Sequence, residues 1–409
     1  MKKDIGLRGA SRRDFMRGVF TASAALGLGP VKALDMLEKM GGSELAQAAT
    51  TTRGLMVNII LGNGALSRAT NLIAVPDAIA TFNEATTALN PMAPGMPISS
   101  RFQSVTLPSG RPYNARIIDG QPFFAKKPWT VYVSGQSQAH SIFPAFNGNT
   151  STVTMGGNVN LFSAAAQLQT SLHSLVPAIG VQNGGNNPNY NPSAQGAPAL
   201  SGVTDRNAII GLFNSAASQL MNRLGSPANQ KLYGQYYTAL MGLTAWAGRP
   251  TYSTSTTDAQ TALGLVVQNL GSQLMVQPGQ GAMWAGGTAF ADPKVQAMTE
   301  TLIIAGNAFK LGLTPHVTFP AFLDDPHGAF GGQPDPVFDG TGRALVAFQA
   351  AMDAVADPVR PGKTLGDRLV MTMSGDTTKD PHTRSGWPDG SPANLLYVQG
   401  AGWLPGGFH

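Results

Sequence analysis

Asp324-Asp325-Pro326-His327-Gly328 places a carboxylate and an imidazole two residues apart on a segment that Pro and Gly bend into a turn. Asp and His are hard-to-borderline donors suited to zinc, manganese, magnesium or calcium, and an Asp-x-His turn can aim both side chains at one ion. Further along the chain come Ser374-Gly375-Asp376, then Asp380-Pro381-His382 and Trp387-Pro388-Asp389-Gly390, a second stretch with acidic and imidazole donors close together. A polar loop that only caps strand ends would also draw on Asp, Pro and Gly. A different chemistry is offered by Gly135-Gln136-Ser137-Gln138-Ala139-His140, close to the G-x-S-x-G nucleophile elbow but with Ala at its last position. In that alternative Ser137 attacks an acyl carbon, and Asp325 or Asp376 with His382 completes a triad in the order Ser, acid, His. The same turn with Ser137 bonded to backbone would serve structure alone.

These residues share a setting. Each group follows a short run that is apolar at every position or nearly so: Trp129 to Val133, Val317 to Phe319 and Leu369 to Met373. Leu55 to Leu61, which runs into Gly62-Asn63-Gly64, and Leu395 to Val398 have the same character. Runs apolar on both faces are what strands of a buried parallel sheet look like. Between them, Asn207 to Leu224, Asn229 to Ala247, Asp258 to Leu274, Pro293 to Leu311 and Gly342 to Ala356 carry apolar residues at helical spacing, with Asp258 and Asp292 placed as N-caps. Alternating strands and helices predict an α/β fold, a mostly parallel sheet flanked by helices. The helical patterns within about 204–275 follow one another without a strand and predict a helical insertion. The Asn-, Gly-, Pro- and Ser-rich stretch from Asn183 to Val203 reads as loop, and Thr87 to Asp119 as loop with edge strands. In such sheets ligands bind beyond the carboxyl ends of the strands, which is where the Asp, His and Ser groups fall.

The start of the chain carries an address. Ser11-Arg12-Arg13-Asp14-Phe15-Met16-Arg17, the weakly apolar stretch from Gly18 to Gly29 and the small-x-small site Ala46-Gln47-Ala48 form a twin-arginine export signal over residues 1–48. The mature chain then spans 49–409 as one α/β domain, carried out folded by the twin-arginine translocase to the periplasm or the cell exterior. The apolar stretch is too short for a transmembrane span, which needs roughly 20 residues. Residues 1–48 hold eight Lys or Arg against five Asp or Glu, so they account for most of the +5 formal charge. The rest carries no basic cluster interleaved with aromatics, which excludes the electrostatic footprint of nucleic-acid binding. Zero cysteines exclude disulfides, thiolate metal sites and cysteine nucleophiles.

The twin-arginine leader, a first strand running into a Gly-Asn turn, Asp-x-His-Gly at Asp325 to Gly328 and a late strand followed by Ser-Gly-Asp together resemble a large family of twin-arginine-exported bacterial proteins. That family belongs to the alkaline phosphatase and sulfatase-like superfamily. The resemblance implies a parallel sheet with metal-binding Asp and His at strand ends, where a nucleophile or bound water attacks a phosphate or sulfate ester. It makes Asp325 and His327 ligands at one metal position, sets Asp376 after the late strand, and draws His140 toward the same pocket. Two positions depart from the pattern. Trp387-Pro388-Asp389-Gly390 stands where relatives show Asp-His-Gly, so His382 would have to replace the missing histidine, and Asn63 supplies no acidic ligand at the first turn. The departures leave open a non-catalytic cell-envelope component on the same fold, with a protein partner in the envelope.

Overall fold

The structure, a computed structural model, describes residues 54–61, 69, 72–74, 102–111, 113–133, 150–152, 157–168, 174–182, 188, 197–213, 228–229, 231–232, 235–236, 238–239, 270–287, 292–322, 335–358, 360–375, 395–400 and 404–408. All of them belong to one compact unit, Gly54–His409. The strands are β1 (Leu55–Leu61), β2 (Ile73–Ala74), β3 (Phe102–Ser104), β4 (Asn114–Ile118), β5 (Gln121–Pro122), β6 (Thr130–Val133) and β7 (Thr150–Thr152). They continue with β8 (Gly157–Val159), β9 (Ile179–Val181), β10 (Ser201–Val203), β11 (His316–Phe322), β12 (Leu369–Gly375), β13 (Leu395–Gln399) and β14 (Gly407–Phe408). The helices are α1 (Leu161–Leu168), α2 (Leu270–Leu274), α3 (Gln280–Ala285), α4 (Pro293–Lys310) and α5 (Asp335–Asp353).

Eight strands form one sheet in the order β10-β9-β11-β1-β12-β13-β6-β14. All run parallel except β13, which is antiparallel to both of its neighbours, β12 and β6. The α/β expectation therefore holds. The five apolar runs read from the sequence are five of these strands, with β1 running from Leu55 to Leu61 as expected. Every residue of β1 is buried, as a central strand covered on both faces requires.

One face of the sheet presents Leu55, Val57, Ile59 and Leu61 from β1 and Met371 and Met373 from β12 to the large core. Leu302 and Ala305 of α4, and Leu345, Phe348 and Met352 of α5, pack in that same core. Ile60, on the opposite face, joins Phe162 and Ala166 of α1 in a second, smaller core. Helices thus cover both faces.

The longest of these elements have local causes. Asp292 caps α4, its carboxylate accepting from the N–H groups of Lys294 (2.8 Å) and Val295 (3.1 Å), and Pro293 fills the first turn where no N–H is needed. α5 begins seven residues before the expected Gly342, because Pro336 sits in the first turn, where it is tolerated.

A smaller antiparallel sheet, β2-β4-β3 with β5 hairpinned onto β4, lies against α5. Its hairpin turns at Asp119 (φ 50°) and Gly120 (φ 74°), the two left-handed positions of a tight turn. Buried Arg116 donates to Asp339 of α5 at 2.6 Å and lies over the Phe338 ring, which fastens the hairpin to the helix.

Two expectations need correction. The stretch from Asn183 to Val203 is not loop throughout, because Ser201–Val203 pairs with β9 as an edge strand. The late strand at Leu395 joins the sheet but runs antiparallel. Within 204–275 the described residues are helical at 206–213, at the positions described between 228 and 239, and in α2. Among the described residues no helix is long and apolar enough to cross a membrane.

Candidate functional site

Leu61, at the end of β1, pairs in register with Phe322 of β11 on one side and with Gly375 of β12 on the other. Three carboxyl ends therefore stand side by side on one edge of the sheet. β6 runs in the same direction, and its last residue, Val133, pairs with Leu395, the first residue of antiparallel β13. The chain thus leaves this edge after Gly375 and returns to it at Leu395.

Every candidate read from the sequence lies on a segment that starts at this edge. Asn63 follows Leu61, Asp325 and His327 follow Phe322, Asp376, His382 and Asp389 lie between Gly375 and Leu395, and Ser137 and His140 follow Val133. All eight side chains lie outside the described residues, as do His173, Trp387 and Trp403. What is described is the platform from which their segments depart. Among the described residues no three His, Asp or Glu side chains gather into a cation site.

A polar network crosses that platform just behind the edge. Asn58 of β1 is in register with Thr318 of β11 and Thr372 of β12, so the three side chains emerge on the same face of adjacent strands. Asn58 Nδ2 donates to Thr318 Oγ1 at 2.9 Å and bonds His316 Nε2, while Asn58 Oδ1 accepts from Thr372 Oγ1 at 2.8 Å. His316 accepts as a neutral imidazole protonated at Nδ1, and burial pushes its pKa down to about 3, which keeps it neutral. All four side chains are buried, and the network ties β11, β1 and β12 together through side chains as well as through backbone.

Ser374 sits on the same face one step nearer the edge, in register with Ile60 and immediately before Gly375. It is 7% exposed, and among the described residues its Oγ has no hydrogen-bond partner. Native interiors satisfy such hydroxyls with few exceptions, so an open one calls for an explanation such as strain, a catalytic role, a water or an ion.

The sequence reading passed over Asn58, Thr318 and Thr372, and named Ser374 only as part of the Ser-Gly-Asp motif. A signal was present, since the first three are polar residues inside otherwise apolar runs, but only the register reveals that they face one another. His316, the first residue of β11, bonds Asn58 through its Nε2.

The fold and its edge define an α/β protein with a mostly parallel, helix-covered sheet. Comparison with protein-family models, with curated proteins and with solved structures returns no match for the chain.

Proposed function

We propose that this chain is an exported member of the alkaline phosphatase and sulfatase-like superfamily that hydrolyses phosphate or sulfate esters with a bound divalent metal. One observation carries the reading: the parallel strands β1, β11 and β12 end in register at Leu61, Phe322 and Gly375, so three segments bearing Asn, Asp and His donors start at one place. Such an edge is where open α/β sheets bind ligands. The unpartnered Ser374 Oγ beside it fits a site that a ligand or ion completes.

The donor set suits a hard-to-borderline cation. Asp325, His327, Asp376 and His382 would hold it, with Asn63, Asp389 and His140 lining the same pocket. A bound divalent metal supplies Lewis-acid polarisation of the ester oxygens and neutralises their charge. The protein's own part is to fix the donors on strands that the Asn58 network locks in register. Export through the twin-arginine translocase, from the leader at Arg12-Arg13, would deliver the chain folded to the periplasm or the exterior.

Elemental analysis of the full chain and of an Asp325→Ala/His327→Ala double variant tests this directly. Stoichiometric metal in the parent and its loss in the variant, together with metal-dependent hydrolysis of an aryl phosphate or aryl sulfate that the variant lacks, is the expected result. A parent protein that holds no metal and hydrolyses neither ester after zinc, manganese, magnesium or calcium is added overturns it.

A further inference from the structure

A cavity of about 860 Å³ opens between the hairpin β4–β5, the turns that follow it, and the outer faces of α3 and α5. Its volume lies in the range of small-molecule sites. The cavity is set apart from the carboxyl edge. Its far wall includes Gln349, whose Nε2 donates to Gly366 O at 3.3 Å, just ahead of the amino end of β12.

The middle of the cavity is apolar and open. Met283 of α3 is 72% exposed and Val346 of α5 is 41% exposed, an unusual presentation for side chains of their type unless something covers them. Phe124 lines the floor with φ at +53°, a left-handed conformation that costs a bulky residue free energy and is held by its edge-on contact with Trp129. Of the described residues outside glycine with positive φ, Asp119 is explained by its hairpin turn and Phe124 is not.

The two ends differ electrically. At one, Arg343 is matched by Asp119, which accepts from its Nε at 3.0 Å and its Nη2 at 2.7 Å. The other end lies ten residues further along α5, about 15 Å of helix rise, where Lys127 donates to Asp353 at 2.6 Å. Asp353 also accepts from Gln349, and nearby Asp367 accepts from Thr364. Lys363 faces Asp367, and Lys126 beside them is exposed and forms no ion pair among the described residues, so that end holds three lysines against two carboxylates. Gln349 is 4% exposed and its Oε1 has no hydrogen-bond partner among the described residues, so a polar acceptor is left open in the same wall.

We infer that this cavity binds a small anionic amphiphile, with its apolar chain laid across Phe124, Val346 and Met283 and its acidic head at Lys126. Surplus positive charge at one end selects an anion over a cation and fixes the direction in which the chain lies.

Calorimetric titration of the full chain with N-lauroylglycine below its micelle concentration is the test, with dodecyltrimethylammonium as the cationic counterpart. Both Lys126→Glu and Val346→Asp change exposed side chains and leave the core untouched, and Lys231→Glu is an exposed control elsewhere. One-to-one binding of the anion, weakened at least about tenfold by either cavity variant and unaltered by the control, with no saturable binding of the cation, is expected. Absence of saturable binding of the anion, equal binding of the cation, or cavity variants that bind like the parent overturns the inference. Sedimentation with anionic vesicles without uptake of the monomeric amphiphile overturns it as well, because it makes the patch a membrane contact.

Discussion

Asn58 occupies a place where an amide costs free energy unless it is fully bonded. Both its N–H groups and its carbonyl oxygen are used, and the partners His316, Thr318 and Thr372 come from the two flanking strands. An unsatisfied amide at such depth costs about 1–3 kcal/mol, so any slip of β1 against β11 or β12 is penalised beyond the loss of apolar burial. The same network makes stability depend on pH. An unfolded histidine titrates near 6.5, whereas burial holds folded His316 at about 3. Between those values the unfolded chain binds a proton that the folded chain refuses. Stability is therefore complete above the unfolded pKa and falls as pH drops below it, by up to about 1.4 kcal/mol per pH unit. Replacing His316 with Gln removes this contribution and retains polar atoms for Asn58. Urea unfolding of both proteins from neutral pH down to about pH 4.5 should show a steeper loss for the parent. Parallel pH profiles would show that His316 does not carry the dependence.

Among the elements, the close approach of the β4–β5 hairpin to α5 depends on a glycine. A Cβ on Gly342 would run into Ile118 and come within 3.1 Å of Leu72. Glycine in a helix interior ordinarily loses about 1 kcal/mol against Ala, yet here the hairpin leaves no space. Gly342→Ala should destabilise by about 1–3 kcal/mol through overpacking. Gly211, within the helical residues 206–213, has nothing within 4 Å of a built Cβ, so Gly211→Ala should stabilise by about 0.5–1 kcal/mol. Opposite shifts in the thermal midpoint would confirm that contact, not propensity, placed Gly342. These elements also show what the sequence discloses. β1, β11 and β12 were legible because burial on both faces makes each a continuous apolar run, and α4 because Asp292, Pro293 and an apolar stripe agree. The start of α5 was not, since Pro336, Gly340 and Gly342 look like breakers until Pro336 is seen in a first turn and Gly342 under a hairpin. β9 and β10 escaped because three residues with Gly180 or Gly202 at the centre carry no periodicity, and neighbouring strands alone give them their conformation.

At the scale of the whole molecule, residues far apart in sequence become neighbours through direction and register alone. The sequence singled out Asp325, His327, Asp376 and His382 by type and local spacing, but it held no statement of strand order. Placing β1 between β11 and β12, with Leu61 beside both Phe322 and Gly375, brings the start of the segment of Asp325 within two strands of that of Asp376. Adjacent strands lie about 4.8 Å apart, so the two departure points are separated by roughly 10 Å, a span that the following residues can close onto one ion. If the two segments serve one site, their contributions to metal binding cannot be independent. Thermal unfolding of the full chain with and without zinc or manganese should give a metal-dependent rise in midpoint that Asp325→Ala and Asp376→Ala each remove, with the double variant losing nothing further. Separate sites would instead give partial losses that add. Strict additivity would divide the edge into two unrelated loops and remove the common site on which the proposed ester hydrolysis rests.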